Sequence, residues 1–559
     1  MAIVVGVGAL VAAVAAILCW NSLNPLAARV DQILEQDMMP GKNTWDAGMH
    51  KLWALGPDVI PRLAAEANLR DTLLSKYYPG LWKKFPPYLQ RYLPQPIDRA
   101  ALRQTAMHAI AEFGPLAARR AAPQVIAGLS EMDDRYNNHA VQCVGWLLPE
   151  SASALTAFKH GLAGADPNWP VPDTFLSVAE DSVWAMIPEV VPLLTNFLGD
   201  SFRANLAAAD LGCVGSNAAA AVPALIQTAE MGEAWLPDTE GALMPPHGNG
   251  KYSTQMMNHN RAMAALALGR IGVTTPEVRA ALVRAWNAPD ACVRKNAAEG
   301  VALLGPSMTN DLSGLLAGLR DKDNSALDKK LRAIWMMGAE ARDAIETLRE
   351  LAQTNRLRLL VTNPEPKVVG GSLEDLAVSA KMAICRIDPE EGRSFLPDIA
   401  SKIGVWWDPV EFLVQPSPLS NDVVRVVEPL LEQAGSARQS IAAYVILHHD
   451  RHHSKALAVL RRNESAGELN EMLLAGRLLF QSVGETNGLC SLVAEGFKAP
   501  ESFIGQSAGN LAEAMGEAAL PALPAFKKAL WHQDKFVRQK AGELRLKLDP
   551  QEIPINAAK

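Results

Sequence analysis

Few catalytic signatures can be read from this chain of 559 residues. It has no P-loop and no H-E-x-x-H, so neither a phosphate-cradling Gly-Lys turn nor a helical zinc-hydrolase pair is present. The six cysteines, Cys19, Cys143, Cys213, Cys292, Cys385 and Cys490, are scattered without a C-x-x-C. That spacing excludes zinc-ribbon and dithiol redox sites and reads as small core hydrophobes. Aromatic residues are scarce at 6% while apolar residues reach 49%, a balance that suits Ala-rich, closely packed helices. The net charge is −7 and the pI is near 5.9, against a general nucleic-acid binder.

What the chain does have is a period. Gly272, Gly305 and Gly338 lie 33 residues apart, each closing a run of Ala, Leu and Met at helical spacing. A fixed period in this range marks stacked supersecondary units, because one helical hairpin cannot bury its apolar face alone. The glycines suit left-handed C-caps. A proline follows to open the next helix, as in Gly56-Pro57 then Ile60-Pro61, Gly114-Pro115 then Ala122-Pro123, and Gly215 then Val222-Pro223. Val191-Pro192, Leu396-Pro397 and Leu520-Pro521 repeat the signal. Gly215 and Gly272 are 57 apart, an excess of 24 over the period. A Pro/Gly-rich stretch at 232–252, containing Trp235, accounts for it as a loop.

Asp290-Ala-Cys-Val-Arg294 and Asp534-Lys-Phe-Val-Arg538, with a looser Asp200-Ser-Phe-Arg203, precede helical runs. The aspartates fit N-caps. With the Leu-Gly-x-Ile-Gly turns, this pattern resembles HEAT repeats of the bacterial, bilin-lyase-like type, over most of residues 44–548. The resemblance implies an all-α solenoid of stacked hairpins, armadillo-like, in which the Val packs inward and the Arg bridges neighbouring units. HEAT-like deoxyhypusine hydroxylases hold iron through paired His-Glu motifs, and none of the eleven histidines here precedes Glu. No cofactor is expected.

Ala2 to Trp20 is uncharged and mostly apolar, long enough to span a bilayer as one helix. A cleaved signal peptide would need small residues at −3 and −1, and Trp20, Pro25 and Leu26 occupy the −3 places of the candidate sites. The segment therefore reads as an uncleaved transmembrane anchor. Gly6-Val-Gly8 inside it has Val11 where a dinucleotide fingerprint needs glycine.

Residues 70–103 carry seven Lys or Arg against two Asp, a local +5 that leaves −12 elsewhere, and four of the seven tyrosines. This collar offers Tyr77, Tyr78, Trp82, Lys83, Lys84, Tyr88, Arg91 and Tyr92 as partner-binding candidates. Aromatic rings among cations suit a headgroup zone, an acidic protein partner, or an insertion packed on the first repeats. Trp235, Trp406 and Trp407 are further contact candidates. The weak metal candidates His448, His449, His452 and His453 fall in an inter-helix turn before Ser454, a good N-cap, where i,i+4 spacing is lost.

The expected order is an anchor at 1–20, a juxtamembrane linker at 21–43, a first hairpin at 44–68, a basic aromatic connector at 69–103, a solenoid at 104–548 and a tail at 549–559. The order resembles that of membrane-anchored bacterial HEAT proteins, which implies export. The expected role is a membrane-tethered scaffold for protein partners, with the solenoid on the extracytoplasmic side. The alternative is a HEAT-like enzyme or accessory subunit, lyase-like or metal-dependent.

Overall fold

The structure is a computed structural model. It describes residues 24–39, 44–68, 73–90, 96–130, 138–148, 151–164, 188–200, 203–231, 251–320, 326–354, 357, 372–404, 408–433, 435–530, 532 and 534–549. The expected span at 2–20 lies outside them. Among the described residues the regular structure is helical and no strand occurs. The chain divides into two compact units. One joins Met1–Val178 to Gly488–Lys559, and the other is Ala179–Asn487.

The period is plainest in Ala179–Asn487. Helix Ala204–Val214 ends at Gly215, a 3-10 segment follows over Gly215–Ala221, and Val222–Ala229 runs on from it with a proline in its first turn. The same plan recurs with Ala291–Leu304 and Leu312–Leu319, joined through Gly305, and with Leu327–Met337 and Ile345–Leu351, joined through Gly338. Gly215, Gly272, Gly305 and Gly338 all hold positive φ, between 51° and 78°. A Cβ would clash with the following backbone in that region, which is why glycine ends each first helix. The first helices of successive hairpins pack on one another, and each second helix packs on the first helix of the next hairpin. Ala204–Ala229 is the one described stretch apolar and long enough to cross a membrane, and 44% of its window is buried. The break at Gly215 shows it to be two core helices rather than one span.

Two features set how closely the helices approach. Where Lys251–Ile271 crosses Ala291–Leu304, a Cβ on Gly269 would sit 2.3 Å from the Gly300 Cα, so the backbones are in contact. Buried or half-buried cations then reach back toward the preceding chain. Arg294 donates to the Ala288 and Pro289 carbonyls at 2.8 and 2.6 Å. The Lys330 ammonium donates to Gly318 O at 3.0 Å, and Arg261 to Ala229 O at 3.2 Å. Ala229 and Gly318 lie at the C-terminal ends of preceding second helices, where carbonyls lack partners within the helix and the dipole favours a cation, whereas Ala288 and Pro289 lie in the connector just before Arg294's own helix. In the two Asp-x-x-Val-Arg copies the Arg bonds to the connector just before its own helix, at Ala288 and Pro289 for Arg294 and at His532 for Arg538. Asp290 and Asp534 are N-caps. Asp200 instead pairs with Arg203 at 2.5 Å, and no side chain caps that helix.

The other unit is assembled from both ends of the sequence. Lys535–Leu548 packs against Arg99–Phe113 and Pro115–Arg120. Its Arg538, 1% exposed, donates to His532 O at 2.7 Å. The guanidinium lies 3.6 Å from the Trp53 ring centroid and 3.7 Å from the Glu112 carboxylate. Burial lowers its pKa to about 10, with Glu112 and Asp534 opposing, so the group stays charged at neutral pH. The proline opening the last second helix, Leu523–Ala529, is Pro524; Pro521 sits inside the preceding 3-10 segment.

Candidate functional site

The collar forms helix Leu73–Trp82, with Pro79 inside it, and the short helix Pro87–Gln90. Prolines keep both elements short by removing donors from the helical ladder. The Gln90 amide donates to the Trp82 and Phe85 carbonyls at 3.0 and 2.9 Å, fixing the turn between them. Tyr77 and Tyr88 are 63% and 64% exposed, and Leu81 and Phe85 are also open to solvent. Lys83 and Lys84 are exposed. Trp82 is half-buried, and its indole nitrogen is buried with no acceptor among the described residues. Burial raises the Tyr78 phenol above its ordinary range. No acidic residue occurs from Leu73 to Ile97. The arrangement is therefore a basic surface with apolar rings held outward. Neither helix packs extensively on another described helix. Arg91, Tyr92, Trp235, Trp406 and Trp407 lie outside the described residues.

The four clustered histidines are divided between a helix and a turn. Helix Ser436–His449 contains His448 and His449, later than the expected helix end. His449 Nε2 lies 2.6 Å from Leu413 O. His453, rather than Ser454, caps helix Ser454–Ser465, its Nδ1 accepting from Ala456 N at 3.3 Å. Burial lowers the His448 pKa, with His449 and Arg451 adding to the effect. Among the described residues no group of three or more His, Cys, Asp or Glu side chains is placed to hold a metal.

One ring cluster has no signal in the sequence. Trp45 stacks on His108 with centroids 4.0 Å apart, and His108 stacks on His139 at 3.8 Å. His108 Nε2 lies 3.8 Å from Glu112. The rings come from three helices, and no motif spacing connects them. Stacking of this kind ties the helices together.

Gly505-Gln-Ser-Ala-Gly509 matches G-x-S-x-G. A nucleophile elbow needs a strand-to-helix turn, and here the string lies within helix Ser502–Met515. A Cβ at Gly505 or Gly509 would come within 2.5 Å of Val537 or 2.4 Å of Lys540. The glycines serve helix approach, and Ser507 is not raised on a turn.

Exposed apolar side chains recur in register with the repeat. Leu303 and Met336 are 33 residues apart, each two positions before its turn glycine, and both are exposed. Phe503 and Phe536 are also 33 apart, each second in its helix, and both are more than half exposed.

No protein-family model and no curated protein sequence matches the chain. Among solved structures the fold is similar to Kap121p bound to Pho4p, at 11% identity and a TM-score of 0.43, covering 87% of this chain and 60% of that one. It is also similar to the Kap95:Nup1 complex, at 11% identity and a TM-score of 0.45, covering 92% and 78%. For yeast importin-beta, Kap95p, the values are 11% and 0.43, covering 94% and 80%. This chain thus spans about three fifths of the Kap121p chain, and likeness at this level brings neither family nor function with it.

Proposed function

We propose that this protein is a protein-interaction scaffold, tethered to a membrane through residues 2–20, with its helical repeats on the extracytoplasmic side. The observation that carries the scaffold reading is the register of exposed apolar side chains: Leu303 with Met336, and Phe503 with Phe536, each pair one period apart on consecutive first helices. A lone exposed leucine needs no explanation, whereas apolar groups repeated along one ridge suit a partner that covers several repeats. Phe and Met are also enriched at interface cores. Tethering rests on the length and apolarity of Ala2–Trp20.

The test is photo-crosslinking in native membranes, with the probe placed at Phe503 or Met336. A discrete protein adduct, lost from the Phe503 probe on Phe536→Ser or from the Met336 probe on Leu303→Ser in a protein of unchanged helicity, is the expected result. No adduct at either ridge would reject the reading. Removing residues 1–20 should move the chain to the soluble fraction, and persistent sedimentation with membranes would reject the tether.

A further inference from the structure

We propose that residues 73–90 form an interfacial platform that seats on an anionic lipid surface. This goes beyond the scaffold reading and does not depend on it. The argument begins with charge. From Leu73 to Ile97 the sequence holds Lys76, Lys83, Lys84 and Arg91 and no acid, while the chain as a whole is −7. An anionic bilayer therefore repels most of the molecule and attracts this segment. Lys83 and Lys84 are exposed and make no ion pair with a described residue, so their charge is available to a ligand.

Apolar geometry selects the occupant. Tyr77 and Leu81 are one helical turn apart on a shared face, and both are more than half exposed. Phe85 and Tyr88 continue the exposed apolar surface past the turn that Gln90 pins. A bilayer accepts Leu and Phe into its acyl boundary while Tyr and Lys remain at the headgroups. An acidic polypeptide segment poor in apolar residues would satisfy the lysines and leave Leu81 and Phe85 without an apolar partner. The helices are short, are pinned to one another through Gln90, and do not pack extensively on other described helices, so the rings face outward without cost to the core.

The experiment uses the full chain in vesicles of phosphatidylcholine alone and of phosphatidylcholine mixed with phosphatidylserine, read by amide hydrogen exchange. An inserted span at 2–20 would anchor the chain in both lipids. The expected result is slower exchange over 73–90 with the anionic mixture only, reversed by high salt. Each lysine contributes roughly fivefold to the seated population, so Lys83→Gln with Lys84→Gln should lower it about thirtyfold. Exchange in Arg99–Phe113, which belongs to the same unit, reports whether the variant remains folded. Should the double variant unfold, Tyr77→Ser with Leu81→Ser provides the second arm, and protection should fall there too. Equal protection on both lipids, or protection unchanged in a folded variant, overturns the proposal. Protection by soluble polyglutamate without protection by anionic vesicles would assign the surface to an acidic protein instead. Crosslinking at Phe503 in native membranes reads the scaffold separately.

Discussion

Replacing glycine by alanine in a helix should have opposite effects at two places in this protein. Alanine is favoured over glycine by about 1 kcal/mol in a helix interior. At Gly145, within Asn138–Leu147, an added Cβ meets no described residue within 4 Å. Gly145→Ala should therefore stabilise its helix by about 0.5–1 kcal/mol. At Gly300 the added Cβ would lie 2.7 Å from the Ala265 carbonyl oxygen, where ordinary contact begins at 3.4 Å. The obstacle is backbone and cannot rotate aside, so the two helices must part by about 0.7 Å along their crossing. Overpacking of this kind costs about 1–3 kcal/mol, which outweighs the propensity gain. The expected net effect of Gly300→Ala is a loss of about 1–2 kcal/mol. Local hydrogen exchange is the suitable assay, because repeat proteins open region by region. Amides of Ala291–Leu304 should exchange faster in Gly300→Ala, and those of Asn138–Leu147 more slowly in Gly145→Ala. Unchanged or slower exchange at the first site would refute the close-crossing argument.

Four further outcomes are expected. Gly305→Val forces a β-branched residue to φ near +51° and should cost about 1–2 kcal/mol, measured by denaturant titration. Arg538→Met removes a buried cation from Trp53 and Glu112. It should destabilise Lys535–Leu548 by about 3 kcal/mol, seen as faster exchange in that helix. Lys540 and Lys547, at 2.6 and 2.5 Å, hold Glu513 down to about 2. Its stabilisation is therefore complete above the ordinary carboxylate range and is lost as pH falls toward 2. Solvent screening limits the effect to about 0.5–1 kcal/mol, and acid titration of Glu513→Gln should show a shallower fall. Burial pushes the Cys385 thiol up to about 12, and Cys292 is exposed. A maleimide at mildly alkaline pH should label Cys292 first, and early labelling of Cys385 would contradict its placement.

The hairpins were legible because their signals are local. A positive-φ glycine, a capping aspartate and an opening proline each act within one turn of chain, so 33-residue spacing alone exposes them. Joining of the chain ends was not legible. Arg538 and Glu112 are 426 positions apart, and Asp534-Lys-Phe-Val-Arg538 has the same form as the internal copy at Asp290. Lys330 was missed for a related reason, since its role depends on the Gly318 carbonyl and no Arg stands at that place. The collar was recognisable by composition, but composition could not say that Tyr77 and Tyr88 face solvent. His453 as a helix cap was hidden by Ser454, the commoner capping residue. At Gly505-Gln-Ser-Ala-Gly509 a string with a catalytic form proved to be a place where two helices approach.

The cations that reach back from each first helix have a consequence for how such a chain tolerates change in length. Arg261 holds the Ala229 carbonyl although residues 230–250 intervene before its helix, while Lys330 makes a comparable bond to Gly318 across a much shorter connection. Registration between neighbouring hairpins thus comes from one side chain and a set of carbonyls, not from the length of the connector. Chain can be inserted there without shifting the stack, because lengthening a loop costs little closure entropy. These junctions are where foreign sequence, such as an epitope or a whole domain, is best grafted. The turns at Gly305 and Gly338, whose course is set by backbone geometry, are where an insertion would do most harm.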